Sequence, residues 1–198
     1  MHALGFPNGP LEPAIAIPDT IGGLGADRLT RAGWNGRTPL AALAPGAAYG
    51  GAKRWPPASF AELLDALAAD GVQPVLVGSA ADAPTGDEVV ARATRRDGIL
   101  NVIGRTDLRE LVGVLAACRA LVTNDSGAMH LSAAVGVPVT AVLGPTDDQA
   151  TRPMGDAHAI LTHPVWCRPC MLRECPLDHR CMRGIQPAAV LEAARRSL

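Results

Sequence analysis

Three groups of residues in this 198-residue chain have the types and spacing to do chemistry. The first is "TNDSGAMH", residues 123–130, which joins an apolar run to a helical pattern. A helix opening near Ser126 presents free N–H groups and the positive end of its dipole. Gly127 keeps the approach clear of a side chain, so a phosphate can sit there. Asn124 lies at the same junction. Asp125 is a poor neighbour for phosphate but a good acceptor for sugar hydroxyls. His130, one turn further on, either faces the same ligand or is a packing histidine. A well-capped helix start is the plainer reading of the whole run.

Two further polar junctions follow apolar runs. In "APGAAYGGAKRWP", Gly46, Gly50 and Gly51 let the backbone come close to a ligand, and Lys53 adds a compact positive charge. The alternative is a glycine-rich surface turn with a solvated lysine. A P-loop is excluded, because GxxxxGK[ST] is absent. In "GSAAD", Ser79 and Asp82 stand at a strand-to-helix turn, where an acid binds a ribose hydroxyl or caps the helix.

The third group is "WCRPCMLRECPLDHRC", with Cys167, Cys170, Cys175 and Cys181 spaced C-x2-C-x4-C-x5-C. No run of 18 apolar residues and no secretory signal pattern occurs, so a reducing, cytoplasmic location is expected. Four thiols so close together there point to a metal more than to disulfides. The later spacings are shorter than those of paired C-x2-C zinc sites. Iron, zinc and an iron–sulfur cluster all remain open, as do free thiols, and His179 is an alternative ligand. Arg168, Arg173 and Arg180 between the cysteines favour thiolates. Cys118 stands in a helical pattern and reads as core.

These groups need a scaffold, and the elements between them supply one. "FAELLDALAADG" places Phe60, Leu63, Leu64 and Leu67 at helical spacing and ends on Gly71. "QPVLVGS", "GILNVIG", "ALVTN" and "PVTAVLG" read as strands, and "DEVVARATRR", "DLRELVGVLAAC" and "SGAMHLSAAVG" as helices, with Asp107 capping the second. With "PLAALAPG" as a first apolar run, short strands alternate with helices. That predicts an α/β fold: a Rossmann-like parallel sheet with helices on both faces. Such a sheet binds ligand beyond the carboxyl ends of its strands, where all three polar junctions fall. Residues 1–40, rich in Gly and Pro, read as linker with a strand-like "AIAIP".

Composition narrows the class. Apolar residues are 48% of the chain but only Trp 3, Tyr 1 and Phe 2 are aromatic, so the core is built from Ala, Val and Leu. A net charge of -1 without a long basic run argues against a nucleic-acid surface.

Taken in order, "PGAAYGGAKRWP", "VLVGSAAD" and "NVIGRTDLRELVGVLAACRALVTNDSGAMHLSAAVGVPVTAVLGPT" resemble the donor half of the ADP-heptose:lipopolysaccharide heptosyltransferases, glycosyltransferase family 9, over roughly residues 40–198. The ordered K-x-W-P and N-D-S-G-x-x-H elements carry the likeness. The resemblance implies one half of a two-domain GT-B fold. Residues 1–39 then form an interdomain linker-like segment, and 40–198 a nucleotide-sugar-binding domain with a Cys-rich insertion (166–182) and a C-terminal helix (187–198).

It also implies a donor site for ADP-heptose. Lys53 would hold the pyrophosphate, Asp82 would sit near the ribose and Thr106 near the adenosine, with Gly46 and Ser79 also among the donor-binding residues. Asp125 would bind heptose hydroxyls, with Asn124 beside it, and Ser126, Gly127 and His130 would surround the phosphates. Transfer would invert the anomeric carbon without a divalent metal; Asp147 and Asp148 read as a solvated turn. The acceptor would be a lipopolysaccharide core, another glycan or a protein, reached without a transmembrane segment and with peripheral membrane association.

The general base would lie in an N-terminal acceptor domain that about forty preceding residues do not supply, so no catalytic residue is assigned. A donor half alone is expected to bind nucleotide sugar weakly and turn over slowly. The cysteine segment is similar to the four-cysteine, iron-holding finger of bacterial autotransporter heptosyltransferases. The alternatives are a transferase or epimerase using another nucleotide sugar, and a non-catalytic, metal-bound partner module.

Overall fold

The computed structural model describes residues 12–198. Six parallel strands form one sheet in the order β3-β2-β1-β4-β5-β6: β1 Leu40–Ala44, β2 Gln73–Leu76, β3 Leu100–Asn101, β4 Ala120–Asn124, β5 Val139–Val142 and β6 Ala159–Leu161. The order runs outward in both directions from β1 and β4, so the chain reverses its direction of travel between those two strands. Connections leave β1 on one side and β4 on the other, and this opens a crevice at their carboxyl ends.

Helices cover both faces. α2 (Pro57–Ala69), α3 (Ala83–Arg92) and α8 (Pro187–Arg195) pack on one face. α1 (Asp19–Arg31), α4 (Leu108–Ala116) and α5 (Gly127–Ala134) pack on the other. All five residues of β1 are buried: Ala41 and Leu43 join the first core, Leu40, Ala42 and Ala44 the second. A strand buried on both faces has no polar alternation, which is why "LAALA" reads as one apolar run. The large side chains that fill the first core include Trp55 and Phe60, both 0% exposed, packed edge to face at 5.1 Å.

Three elements depart from expectation. Within the stretch read as linker, Asp19–Arg31 is a 13-residue helix. Its glycines and polar residues give it little helix propensity, so packing holds it instead. Gly25 meets Gly113 of α4 so closely that a Cβ on either would enter the other's backbone, and Leu29 is fully buried beneath. Arg28 Nη2 then reaches Glu110 Oε1 at 2.7 Å. "AIAIP" forms no strand; Ile15 N–H donates to Ala134 O at the end of α5. The edge strand β6 gave no sequence signal, because "AIL" is too short to show a period.

Asp148 also differs from the solvated turn expected of it. It opens the single-turn α6 (Asp148–Thr151), capped by Asp147, and pairs with Arg168 at 2.7 Å. That guanidinium, hydrogen-bonded to it, holds the Asp148 carboxyl below the usual carboxylate range. Residues 162–179 contain no helix or strand, and the short α7 (Arg180–Arg183) carries Cys181.

Candidate functional site

The crevice between β1 and β4 holds a cavity of about 340 Å³. Four segments wall it: the turn after β1 at Gly46–Ala48, the turn after β2 at Val77–Asp82, the start of α4 at Thr106–Leu108, and the start of α5 at Ser126–Ala128. Two helix N-termini therefore open on one space. Their first N–H groups have no partner within the helix and carry partial positive charge.

Local geometry explains several residue types. Asp82 Oδ2 accepts from Ser79 N–H at 2.9 Å and from Ser79 Oγ at 2.7 Å, which closes the turn before α3. That carboxylate fills the space a side chain at Gly46 would need, so residue 46 has to be glycine if Asp82 is to stay. Asp107 caps α4: it accepts from Glu110 N–H at 2.8 Å while its own N–H donates to Glu110 Oε2 at 3.0 Å. Backbone donation from Asp107 and then the Arg28 bond keep the Glu110 carboxyl below its ordinary range.

At α5, Thr123 Oγ1 donates to Asn124 O at 2.8 Å and lies 2.9 Å from Ser126 Oγ. A hydroxyl has one proton, so Ser126 supplies the proton of the second contact. An anion entering here meets the backbone N–H groups of α5 and a Ser126 hydroxyl already committed inward. Gly127 leaves open space where a Cβ would stand.

The cavity thus gathers Gly46, Ser79, Asp82, Thr106, Ser126 and Gly127. Other expected residues stand elsewhere. Lys53 Nζ pairs with Asp125 Oδ2 at 2.7 Å, beside the start of α5, and the side chains are only 13% and 10% exposed. The lysine cancels the charge that made Asp125 a poor neighbour for phosphate. Asn124 is fully buried and lines no part of the cavity: Oδ1 accepts from Trp55 N–H at 3.0 Å, and Nδ2 donates to Pro45 O at 2.8 Å and Gly46 O at 3.2 Å. It is a bracket tying β4 to both ends of the glycine loop, with both amide hydrogens committed and the side chain shut away from the cavity. His130 is exposed on α5, outside the cavity wall, with no hydrogen-bond partner among the described residues.

Sequence reasoning passed over the apolar wall formed by Val77, Leu108 and Leu111. The signal was Leu108 directly after the Asp107 cap, an apolar residue in a helix's first turn. It is 68% exposed, well beyond what a core leucine shows.

The four cysteines converge on a second, enclosed void of about 20 Å³. Cys167, Cys170, Cys175 and Cys181 all line it, with Ala52 and Pro145. All are free thiols, and among the described residues no group of three or more His, Cys, Asp or Glu stands in metal-holding geometry. Burial, and then the neighbouring thiols, push the Cys181 thiol up. Cys118 is apart from them in the core, its thiol pushed up to about 12 by burial.

Fold and site together define a doubly wound α/β domain with a switch-point cavity suited to a phosphorylated, partly apolar ligand. The profile of Glycosyltransferase family 9 (heptosyltransferase) matches residues 2–180. Lipooligosaccharide heptosyltransferase 2 of Haemophilus influenzae is 42% identical over 128 residues, which are 64% of this chain and 37% of that protein. The structure of Escherichia coli ADP-heptose lipopolysaccharide heptosyltransferase II superposes with a TM-score of 0.82 at 32% identity, over 98% of this chain and 56% of that one. A dodecameric iron-containing heptosyltransferase of enterotoxigenic Escherichia coli, solved in complex with ADP-D-beta-D-heptose, shares the fold at a TM-score of 0.59 and 17% identity, covering 81% of this chain and 45% of its own. The chain belongs to glycosyltransferase family 9 and spans about a third to a half of the length of such relatives.

Proposed function

We propose that this chain is the donor-binding half of a heptosyltransferase, taking ADP-heptose as its ligand for transfer to a lipopolysaccharide core. One observation carries the reading: a single cavity lined both by apolar side chains, Val77, Leu108 and Leu111, and by the polar N-termini of α4 and α5. That mixed lining suits a nucleoside diphosphate sugar. Adenine would lie against Leu108, Leu111 and Val77, with Thr106 beside it. Asp82 Oδ1, which has no hydrogen-bond partner among the described residues, would accept from a ribose hydroxyl. The diphosphate would sit on the first N–H groups of α5, with Lys53 as its counter-charge, and Asp125 would turn to the heptose hydroxyls.

In the transfer step an acceptor hydroxyl oxygen attacks the anomeric carbon from the face opposite the diphosphate, the carbon–oxygen bond to ADP breaks, and the configuration inverts. Negative charge grows on the departing diphosphate, and the residues described meet it with Lys53 and a helix dipole. Those fixed charges do the work that a divalent cation does in metal-dependent transferases. The hydroxyl's proton goes to a general base that the donor-site residues do not include. The reaction would take place at the cytoplasmic face, through peripheral association; no helix among the described residues is long and apolar enough to cross a membrane.

The four thiols suit a thiophilic metal in donor chemistry and line one void, although they do not stand in metal-holding geometry. Cys167, Cys170, Cys175 and Cys181 would hold structural iron or zinc, which would clamp a segment that has no regular structure of its own.

Titration calorimetry with ADP, UDP and GDP tests the donor reading. ADP should bind tightest, and Lys53→Ala should weaken it by about tenfold or more, as loss of a charge-assisted contact does. A preference for UDP would move the chain to another nucleotide-sugar class, and no binding of any of the three would sink the proposal.

A further inference from the structure

The cysteine segment grips the lysine loop at several points. Glu174 Oε1 accepts from Gly51 N–H at 3.0 Å, and Arg173 O accepts from Ala52 N–H at 2.9 Å. The Arg173 guanidinium lies 4.8 Å from the centre of the Tyr49 ring, and Lys53 Nζ lies 4.9 Å from the same ring. Gly50, at a φ of 150°, meets the Arg173 carbonyl with no room for a Cβ, and a Cβ at Gly51 would press on the Glu174 carboxylate. Ala52 is itself a wall of the four-cysteine void. At its far side the segment is anchored to the loop after β5: Met171 N–H donates to Pro145 O at 2.9 Å, and Arg168 Nε donates to Gly144 O at 2.8 Å.

A lysine ammonium on a four-carbon stem is a mobile charge, and its placement depends on the backbone that carries it. That backbone is the single 3-10 turn Gly51–Lys53, too short to hold itself. Two of its N–H groups are held by Arg173 and Glu174, and its next residue but one, Trp55, is fixed by Asn124. Trp55 anchors the far end of the turn in the core. At the near end, the Gly51 and Ala52 N–H groups are held by the cysteine segment.

We propose that Arg173 and Glu174 are positioning residues for the donor diphosphate: they set the Gly51–Lys53 turn so that Lys53 stands beside Asp125, ready for the phosphates. This rests on reading the cavity as the donor site. It assigns the cysteine segment a function beyond its own stability, because whatever holds the four thiols together also holds Arg173 and Glu174. The effect is confined to one part of the ligand. The nucleoside end of the cavity, at Asp82 and Thr106, touches neither residue.

The test compares wild type, Glu174→Ala, Glu174→Gln and Gly50→Ala by calorimetry with ADP and with AMP, and by hydrogen exchange of the 50–53 amides without ligand. Glu174 is exposed, so its variants should fold. Glu174→Ala and Gly50→Ala should weaken ADP by about three- to tenfold while AMP changes by less than about twofold, and their 50–53 amides should exchange faster. Glu174→Gln keeps an acceptor oxygen and should lie near wild type. Equal losses for ADP and AMP, or unchanged ADP affinity in Glu174→Ala, would overturn the positioning role. If wild type itself binds no ADP the donor reading fails, and faster exchange in Glu174→Ala would then mark a structural brace only.

Discussion

Lys53 and Asn124 show how differently two polar residues of one neighbourhood behave. Lys53 and Asp125 neutralise each other in a nearly buried pair, and a ligand bearing phosphate and hydroxyls can divide that pair between its own groups. Removing only one partner leaves the other charge uncompensated, so Asp125→Ala should lower stability by about 1–3 kcal/mol in urea unfolding, and Lys53→Ala by a similar amount. Asn124 has no charge, yet it satisfies three backbone groups in the interior. Asn124→Ala should cost about 2–4 kcal/mol in the same measurement, because the Trp55 N–H and the Pro45 carbonyl would be buried without partners. A small loss there, with a large loss of ADP affinity, would reverse the assignment and make Asn124 a ligand contact.

At the scale of elements, the decisive contact is α1 on α4. Gly25 and Gly113 let two backbones touch, and no other residue type fits either position. Gly113→Ala should detach α1 or strain both helices at a cost of about 2–4 kcal/mol, read as faster exchange of the 19–31 amides. The Arg28–Glu110 bond on the same seam adds a pH dependence. Glu110 is held below its ordinary pKa in the folded chain. Its contribution is therefore complete above the unfolded value of 4.5 and fades as pH falls through the lower folded value. Wild type should exceed Glu110→Gln in stability at pH 7, and the gap should narrow as pH falls below 4.5; a gap that does not change at all with pH would show that charge at Glu110 is irrelevant to the docking.

For the molecule as a whole, one loop gives Gly46, Ala47 and Ala48 to the cavity and Ala52 to the cysteine void, so the proposed ligand site and the thiols bear on the same backbone. Alkylation with iodoacetamide at pH 8 should spare Cys118, whose thiol is buried and titrates at about 12. Cys167, Cys170 and Cys175 are partly exposed and should react in metal-free protein, whereas iron or zinc should protect them. Reaction unaffected by either metal would refute the metal reading. On the proposed donor reading only the folded chain would bind nucleotide, so ADP at about a hundredfold over its dissociation constant should add about 2.7 kcal/mol of stability. A thermal midpoint that rises with ADP but not with adenosine would locate that gain at the diphosphate.

Local order was legible in the residues alone wherever the cause was local. Strands buried on both faces show as apolar runs, Asp107 and Glu110 show as a reciprocal cap, and the motif residues fall where strands meet helices, since period and capping act within a few neighbours. What tertiary structure alone decided came from contacts across long sequence separations. Asn124 reaches Trp55 over 69 residues, Glu174 reaches Gly51 over 123, and the Gly25 helix exists because Gly113 leaves room for it. No pattern along the chain records which backbone will come to rest against a side chain. Burial and hydrogen-bond partners are properties of that meeting, and they set the buried Asn124 apart from the residues that line the cavity.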